Sequence, residues 1–518
     1  MPLAKSNAIS LVGLTGTVVE VEADISSNLP GFVLVGLPDA SLSEASARVR
    51  AAITNSGLAL SQRKITVNLS PAAVPKFGSS FDLAIAVAVL AANKPFPKSH
   101  LSEWVHIGEL ALDGAVRPVN GVLPAVIAAR GAGFRTVVVP AANFAEAKVV
   151  NAIEVLPVNN LRQVVKLHGV PIEEADALVV ESADAHLPET DQQDISDIIG
   201  QDTAVESLVV AAAGGHHLLM IGSPGVGKTM MAERFANLLP DLSLEQSVET
   251  TAVHSIAKNR GLIGSSLISR PPFEAPHHSA SAVSLIGGGS SIPTPGLVSL
   301  AHNGVLFLDE APEFQQPALE VLRQALETGE VVISRAAGVA RFPARFQLLL
   351  AANPCPCGNA LNPRVACVCS AATRQRYMNK LSGPLLDRVD VRLQIKSINA
   401  TQALLARQQK DRQTSHQARQ RVVRAREISA DRLAGTGFSL NAQIPASLLH
   451  SRFAVAPSAR RTLDTSLKRG VISMRGYDRC LRLAYTLCDL DADAQVDETH
   501  IARAVLLRGA ESNMRQAS

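Results

Sequence analysis

The C-terminal two-thirds of this 518-residue sequence predicts an α/β fold, an αβα sandwich built on a parallel sheet. Three apolar segments, HLLMIG, GVLFLDE and QLLLAANP, have the composition of buried strands, and helical segments separate them. A glycine-rich loop, GSPGVGKT, directly follows the first of these strands. Beyond Asp390 we expect no further strand, because TQALLARQQKDRQTSHQARQRVVRAREI, PSARRTLDTSLKRG and YDRCLRLAYTLCDL all indicate helices.

An acidic stretch divides the chain. Residues 172–202 contain many Asp and Glu residues and no Lys or Arg, and most of the stretch has neither helical nor strand periodicity. Such a segment is solvated and repels itself, so we expect a linker at 171–195. The predicted domains are then an N-terminal domain at 1–170, the α/β core at 196–392, and a helical lid and C-terminal region at 393–518.

The composition limits the kinds of partner. The formal net charge of +3 is close to neutral, so a nucleic-acid surface would have to be a local patch. Aromatic residues make up 3% of the chain, which argues against recognition by rows of base-stacking rings. No segment has the pattern of a signal peptide or a membrane span. We therefore expect a cytoplasmic protein with no membrane partner, in which the six cysteines are reduced.

The loop GSPGVGKT matches G-x-x-x-x-G-K-[ST] and leads into the helical segment TMMAERFANLL. Its glycines let backbone N–H groups point inward at an anion, and the start of the helix adds positive potential. Lys228 would contact the β- and γ-phosphates, and Thr229 would bind Mg²⁺, so the loop predicts an ATP site. The predicted nucleotide-binding residues of the loop are Gly222, Ser223, Pro224, Gly225, Val226, Gly227, Lys228 and Thr229.

Polar side chains end the next two predicted strands. In GVLFLDE, Asp309 follows the apolar run and would hold Mg²⁺ together with Thr229, while Glu310 would orient or deprotonate the attacking water. Asn353 ends the strand QLLLAANP and is expected near the γ-phosphate. The alternative for Asn353 is a simple turn at Asn-Pro.

These motifs resemble those of the AAA+ ATPases. The segments HHSASAVSLIGGGS, ISRAAG, PARF, LLLAANP and LLDRVD are similar to the branch that holds magnesium-chelatase subunits and the MCM helicases. Over nearly its full length the chain resembles the YifB/ComM group of magnesium-chelatase-like ATPases. The resemblance implies a ring, a hexamer, with each ATP at a subunit interface. It also implies that Arg388, expected after the end of the sheet, is an arginine finger acting on the neighbouring subunit and that Arg475 is the sensor 2 arginine of the lid.

The same resemblance places a β-hairpin before the sensor strand, within VVISRAAGVARFPARF. Arg335 occupies the basic hairpin-tip position of the helicases, and Arg341 is a second candidate for contact with DNA, whereas Arg345 is interpreted as structural. A second insert, His277 to Gly296, suits a mobile loop beside this hairpin. The arginine-rich helix at 407–432 has two interpretations, a further basic surface or an ordinary lid helix.

Four cysteines lie close together in CPCGNALNPRVACVC. Cys355, Cys357, Cys367 and Cys369 could complete a tetrahedral Zn²⁺ site with a structural role. The C-x-C spacing is tighter than the usual C-x₂-C knuckle, and four reduced cysteines without metal remain the alternative. Cys480 and Cys488 are predicted to be core residues of a helix.

The N-terminal segments VPKFGSSFDLAIAVAVL and IGELALDGAVRPVNGVLPA resemble the proteolytic domain of Lon, an α+β domain similar to ribosomal protein S5. Ser80 falls at the position of the catalytic serine, but Leu123 occupies the lysine position. A serine without a nearby base is weakly nucleophilic. We therefore expect a Lon-like module without protease activity, used for ring assembly or substrate binding.

Together these features predict an ATP-driven hexameric DNA motor. The resemblance implies helicase or branch-migration activity on single-stranded or branched DNA, during recombination of incoming DNA in natural transformation, with recombination proteins as further partners. A chelatase-type motor that inserts metal into a tetrapyrrole is the first alternative. An ATP-dependent protease is the second, and Leu123 argues against it.

Overall fold

The computed structural model describes most of the chain. The described residues are 3–26, 29–36, 42, 44–94, 96, 98–172, 193–257, 267–289, 293–335, 338–362, 365–398, 408 and 412–508. Most of the predicted linker, the two residues at the tip of the predicted hairpin and much of the segment 399–411 lie outside these ranges.

The N-terminal domain is an α+β domain around a seven-stranded mixed sheet with strand order β3-β4-β2-β1-β5-β8-β9. Its strands are β1 (Leu3–Val12), β2 (Thr15–Ser26), β3 (Gly31–Val35), β4 (Lys64–Ser70), β5 (Trp104–His106), β6 (Glu109–Leu110), β7 (Val116–Arg117), β8 (Thr136–Pro140) and β9 (Glu154–Val158). Its helices are α1 (Ala45–Asn55), α2 (Asp82–Asn93), α3 (Lys98–Glu103), α4 (Val122–Gly131), α5 (Phe144–Ala147) and α6 (Leu161–Leu167). The helix α2 is almost entirely apolar and buried, which the run DLAIAVAVLAAN explains, because a helix that is hydrophobic all round must lie inside the domain.

The second domain has the predicted parallel sheet, with order β11-β14-β17-β10-β18. Its strands are β10 (Leu218–Gly222), β11 (Phe273–Glu274), β14 (Val305–Leu308), β17 (Gln347–Ala352) and β18 (Val391–Ile395), with two separate ribbons, β12 (Gly287–Gly288) with β13 (Thr294–Pro295) and β15 (Glu330–Arg335) with β16 (Gly338–Pro343). Its helices are α7 (Asp202–Gly214), α8 (Lys228–Phe235), α9 (Leu244–Ile256), α10 (Ala282–Ile286), α11 (Leu297–Leu300), α12 (Gln316–Thr328), α13 (Ala371–Met378) and α14 (Gly383–Leu386). The three predicted strands are fully buried and lie side by side, as continuous apolar runs require in a sheet covered on both faces.

The expectation that strands end at Asp390 was wrong. The segment Val391–Ile395 forms β18, which pairs in parallel with β10 along all five of its residues. Arg388 therefore precedes the last strand of the sheet and does not follow the sheet. The polar residues Arg392 and Gln394 interrupt the apolar pattern that would have predicted this strand. In the structure Arg392 is nevertheless largely buried, and it donates to Leu386 O at 3.0 Å.

The C-terminal region is helical, as predicted. Its helices are α15 (Ser415–Leu433), α16 (Ala446–Leu449), α17 (Arg461–Lys468), α18 (Met474–Asp491) and α19 (Glu498–Arg508). They share one hydrophobic core with α7, α8 and one face of the sheet. Cys480 and Cys488 are buried in this core, as predicted. Among the described residues, no helix is both long enough and apolar enough to cross a bilayer.

The arginines of α15 are mostly held within the chain. Arg421 pairs with Glu206 at 2.8 Å, Arg419 with Asp241 at 2.7 Å, and Arg432 with Asp489 at 2.6 Å. Arg426 donates to Ala212 O at 2.7 Å. These contacts favour the interpretation of this segment as a lid helix packed on the core.

Among the described residues, the N-terminal domain contacts the second domain through the β1–β2 turn and through α9. The turn between β1 and β2 lies against β16, so that a Cβ atom on Gly13 would be 3.2 Å from Ala340 Cβ. Val12 and Leu14 of this turn pack on the hydrophobic cluster that contains the inner face of the β15–β16 ribbon and strand β14. At the other place, Ser255 of α9 donates to Glu146 at 2.8 Å and accepts from the Gly121 backbone N–H at 3.1 Å.

Candidate nucleotide-binding site

The phosphate-binding loop connects β10 to α8 as its sequence predicts. Gly225 and Gly227 have φ of +77° and +91°, a conformation that side chains other than glycine rarely adopt. A Cβ atom at either position would meet nothing within 4 Å, so the loop is not covered by other atoms at these two glycines. The helix α8 begins at Lys228, with its first backbone N–H groups at this opening. The loop therefore has the room and the donors for a phosphate chain.

Lys228 lies at the centre of the site. Its Nζ donates to Gly222 O at 2.8 Å, Ser223 O at 3.1 Å and Asn353 Oδ1 at 3.1 Å. Burial lowers the pKa of Lys228, and the carboxylates of Asp309 and Glu310 oppose this shift. Among the described residues, the ammonium group of Lys228 is hydrogen-bonded only to neutral oxygens. Phosphate oxygens, which are negatively charged, could therefore replace these acceptors. The bond to Asn353 brings the end of β17 to the phosphate-binding loop.

The two predicted Mg²⁺ ligands also meet. Thr229 Oγ1 donates to Asp309 Oδ2 at 2.5 Å, although the two residues are 80 positions apart. A hydroxyl and a carboxylate oxygen at this distance fit the donor set of Mg²⁺, which prefers one or two carboxylates and otherwise keeps water or phosphate ligands. Glu310 follows in the left-handed conformation, with φ of +50°, and its N–H donates to Asp309 Oδ1 at 2.8 Å. The Glu310 side chain is 48% exposed.

Arg388 and Arg475 are not joined to the loop by any hydrogen bond among the described residues. Arg388 donates to Pro384 O at 2.6 Å and forms an ion pair with Glu327 of α12. Arg475, at the start of α18, is 77% exposed and lies 3.5 Å from Asp387. Their roles as arginine finger and sensor 2 therefore stay predictions.

The β15–β16 ribbon is the predicted hairpin, with Arg335 and Gly338 as its last paired residues before the tip. Arg335 is exposed, and its guanidinium donates to Ser334 O at 3.0 Å and to Gly289 O of the second insert at 3.3 Å. The two inserts are therefore adjacent, as predicted. Arg341 lies further from the tip and forms an ion pair with Glu330 at 2.6 Å, so its charge is already paired within the chain.

Family comparisons agree with this geometry. Residues 194–403 match the family described as magnesium chelatase, subunit ChlI, residues 21–143 match subunit ChlI of Mg-chelatase, and residues 412–508 match the C-terminal family of the same subunit. An uncharacterised protein of Mycobacterium tuberculosis is 48% identical over 98% of this chain and 99% of its own length. Competence protein ComM of Haemophilus influenzae is 39% identical over 98% of this chain and 97% of its own length.

The chain belongs to the YifB/ComM family of magnesium-chelatase-like AAA+ ATPases. Membership of this AAA+ family supports ATPase activity and implies the use of ATP and Mg²⁺. Proteins of the magnesium-chelatase-like group typically act as oligomers.

In this YifB/ComM protein the N-terminal region is also similar to Lon, with 28% identity to the Lon protease of Mycolicibacterium smegmatis over 182 residues. Leu123, which occupies the lysine position, is fully buried in α4 among apolar residues. Lys76, four residues before Ser80, is also fully buried, and its ammonium donates to the carbonyl oxygens of Gly36, Pro71 and Val74. Burial lowers the pKa of Lys76, but these three bonds engage all of its donors.

The sequence did not reveal two further groups, one beside Glu310 and one at the amino ends of the strands, opposite the phosphate-binding loop. His278, in the second insert, lies with Nδ1 3.3 Å from Glu310 Oε2. Asp390, two residues after Arg388, is buried and accepts from His216 Nδ1 at 3.0 Å and from Arg479 of the lid helix α18. Burial alone would raise the pKa of Asp390, but Arg479 and His216 outweigh it and the pKa is lowered. No local pattern could have indicated either contact, because the partners are far apart in the sequence.

Proposed function

We propose that this protein is an ATP-hydrolysing, ring-shaped DNA motor of the cytoplasm that performs helicase or branch-migration work. By analogy with the relative named competence protein ComM, the work would serve recombination of incoming DNA in natural transformation. The observation that carries the proposal is Arg335, an exposed arginine at a hairpin tip. None of the ion pairs in the described part of the chain includes Arg335, so its charge is available to a polyanion.

In this proposal Lys228 and the loop N–H groups bind the phosphates, and Thr229 and Asp309 hold the Mg²⁺. The bound metal would neutralise charge that develops on the phosphates. Glu310 would orient the attacking water, and Asn353, whose Oδ1 accepts from Lys228 at 3.1 Å, would contact the γ-phosphate beside Lys228. In a hexamer, Arg388 would leave its ion pair with Glu327 and bind the γ-phosphate of the nucleotide held by the neighbouring subunit. Arg475 would contact the nucleotide from the lid.

The force would reach DNA through the β15–β16 hairpin. Its inner residues Val331, Ile333 and Phe342 are buried in the same cluster as Leu306 and Leu308 of β14, the strand that ends at Asp309. A movement at the nucleotide therefore has a packed route to the hairpin. Contact with phosphates through arginine is independent of sequence and weakens steeply with salt.

The test is a Holliday-junction migration assay, combined with ATPase measurements with and without single-stranded or branched DNA. We expect wild-type protein to move junctions with ATP and Lys228→Ala to move none. Arg335→Ala should lose DNA binding and junction migration while basal ATPase persists. Arg341→Ala is the matched control, because it removes the same charge from the same hairpin but one that Glu330 already neutralises. Equal losses in both variants, or no response of the wild type to any DNA, would contradict the proposal.

A chelatase-type motor is the second candidate, since all three matching families carry the name of the chelatase subunit ChlI. This candidate predicts that a porphyrin-binding partner subunit stimulates the ATPase activity and that DNA does not stimulate it. An ATP-dependent protease is disfavoured, because the buried Leu123 cannot supply the base that Ser80 would need.

A further inference from the structure

The four cysteines between β17 and α13 converge on one point. The Sγ–Sγ distances are 3.4 Å for Cys355–Cys357 and 3.6 Å for both Cys355–Cys367 and Cys357–Cys367. The four sulfurs all lie within 4.8 Å of one another. A tetrahedral zinc site with Zn–S bonds of ~2.3 Å has sulfurs separated by ~3.8 Å, whereas a disulfide requires ~2.05 Å. The cluster therefore has the dimensions of a thiolate metal site.

Ordinary burial of cysteine does not account for this arrangement. Cysteines that serve as small apolar residues lie among apolar side chains, as Cys480 and Cys488 of α18 do. Of the four clustered cysteines only Cys355 is buried, and the other three are half-buried on a polar loop. Four thiols turned toward one another at a partly wetted position give little hydrophobic gain, but they supply the complete ligand set of a soft divalent ion.

We propose that Cys355, Cys357, Cys367 and Cys369 bind one Zn²⁺ ion as thiolates in a structural site. Four protein ligands leave no position for a reactive water, which is the mark of a structural centre. Binding releases the thiol protons and ties both ends of a loop that has no regular secondary structure of its own among its described residues.

The loop also touches the nucleotide site. Gly358, with φ of +75°, packs so closely on the phosphate-binding loop that a Cβ atom there would be 2.5 Å from Pro224 Cδ. On its N-terminal side the cysteine loop begins two residues after Asn353, which binds Lys228. The metal would therefore stabilise the cysteine loop, which supports the phosphate-binding loop. Loss of the metal would make both Pro224 and Asn353 more mobile.

The experiment measures metal in full-length protein purified without a histidine tag or chelators. We expect one zinc per chain by plasma mass spectrometry, and its stoichiometric release when the thiols are modified. Cys357→Ser and Cys369→Ser should lose the zinc, whereas Cys480→Ala, which removes a core cysteine, should retain it. Should the variants fail to fold, Co²⁺ substitution of the wild type gives a second reading, since four thiolates produce the intense visible bands of a tetrahedral site. Protein that contains no zinc, or iron in its place, and a Co²⁺ spectrum without those bands overturn the proposal.

Gly358→Ala tests whether the cysteine loop supports the phosphate-binding loop, and this variant keeps the four zinc ligands. We expect full zinc content with a raised KM for ATP, because the added methyl group displaces Pro224. An unchanged KM would show that the loop does not position the phosphate-binding loop.

A different observation carries a second inference, which rests on the proposed function. The insert that holds His278 beside Glu310 also supplies Gly289, the acceptor for Arg335 at the hairpin tip. Between them lie α10 and β12, so one short segment connects the residue proposed to contact DNA with the carboxylate proposed to orient water. We infer that His278 is a positioning residue that restrains Glu310 until the hairpin is occupied.

Basal ATPase without DNA tests this restraint. We expect His278→Ala to raise kcat by about two- to fivefold, the factor that corresponds to loss of one exposed polar contact, with KM unchanged. His278→Gln, which can still donate to Glu310, should behave as wild type. Unchanged or lower kcat in His278→Ala overturns the inference. Failure of the proposed function would give a different result. The wild-type protein would then neither bind nor respond to DNA, whatever the effect of His278→Ala on kcat.

Discussion

The buried contact between Asp390 and Arg479 should hold the lid on the core, and Asp390→Ala tests this. Asp390 is 1% exposed, and its carboxylate is shared by Arg479 of α18 and His216 at the end of α7. Arg479 also donates to Arg388 O at 3.0 Å, so the same network fixes the start of β18. Removing one partner of a buried pair leaves the other charge uncompensated, which typically costs about 3–5 kcal/mol.

Since ~1.4 kcal/mol is a factor of ten, opening of the lid should become roughly 140- to 4000-fold more frequent. Hydrogen exchange of peptides from α18, followed by mass spectrometry, measures this opening directly. Tryptophan fluorescence would not, because the single tryptophan is Trp104 in the N-terminal domain. The control is Lys380→Ala, whose ion pair with Glu313 is exposed and should contribute less than ~1 kcal/mol. Acceleration of less than tenfold in Asp390→Ala would refute the reasoning.

Three further outcomes follow from the site. Arg388→Ala should bind fluorescent nucleotide normally and lose ~10³–10⁵ in turnover, and normal hydrolysis would remove the finger assignment. Ser80→Ala should leave ATPase unchanged, and neither it nor the wild type should degrade casein, because Ser80 lacks the lysine of the Lon dyad. Since the pKa of Asp390 is lowered in the fold, its stabilisation is present at neutral pH and is lost as the pH falls below ~3.9. Opening of the lid in the wild type, measured as exchange relative to the intrinsic exchange rate at each pH, should therefore increase at acid pH, and the part of this dependence due to Asp390 should be absent from Asp390→Asn.

Local sequence was enough for the nucleotide site. The phosphate-binding loop encodes its own geometry, because Gly225 and Gly227 must adopt positive φ and Lys228 must begin a helix. Asp309 and Asn353 end apolar strands, and strands that run in parallel bring such ends together. The meeting of Thr229 with Asp309, and of Lys228 with Asn353, could therefore be predicted without a structure.

The parts that failed or were missed depend on distant residues. Strand β18 contains Arg392 and Gln394, and only the neighbouring β10 and the lid make such a segment a stable strand. The contacts of Asp390 with Arg479 and of His278 with Glu310 join segments with no shared pattern. The DNA contact of Arg341 stays a prediction, but its ion pair with Glu330 depends on the paired register of β15 and β16, which was not visible in the sequence.

The fit of Gly13 against Ala340 has a mechanical consequence. A hairpin that shares apolar packing with the β1–β2 turn cannot swing by itself while that contact persists. In the proposed motor, a stroke that moves the hairpin must therefore either carry the N-terminal domain with it or break this contact. The Lon-like N-terminal domain would then move with the hairpin, and its attachment would set how far each proposed stroke can reach.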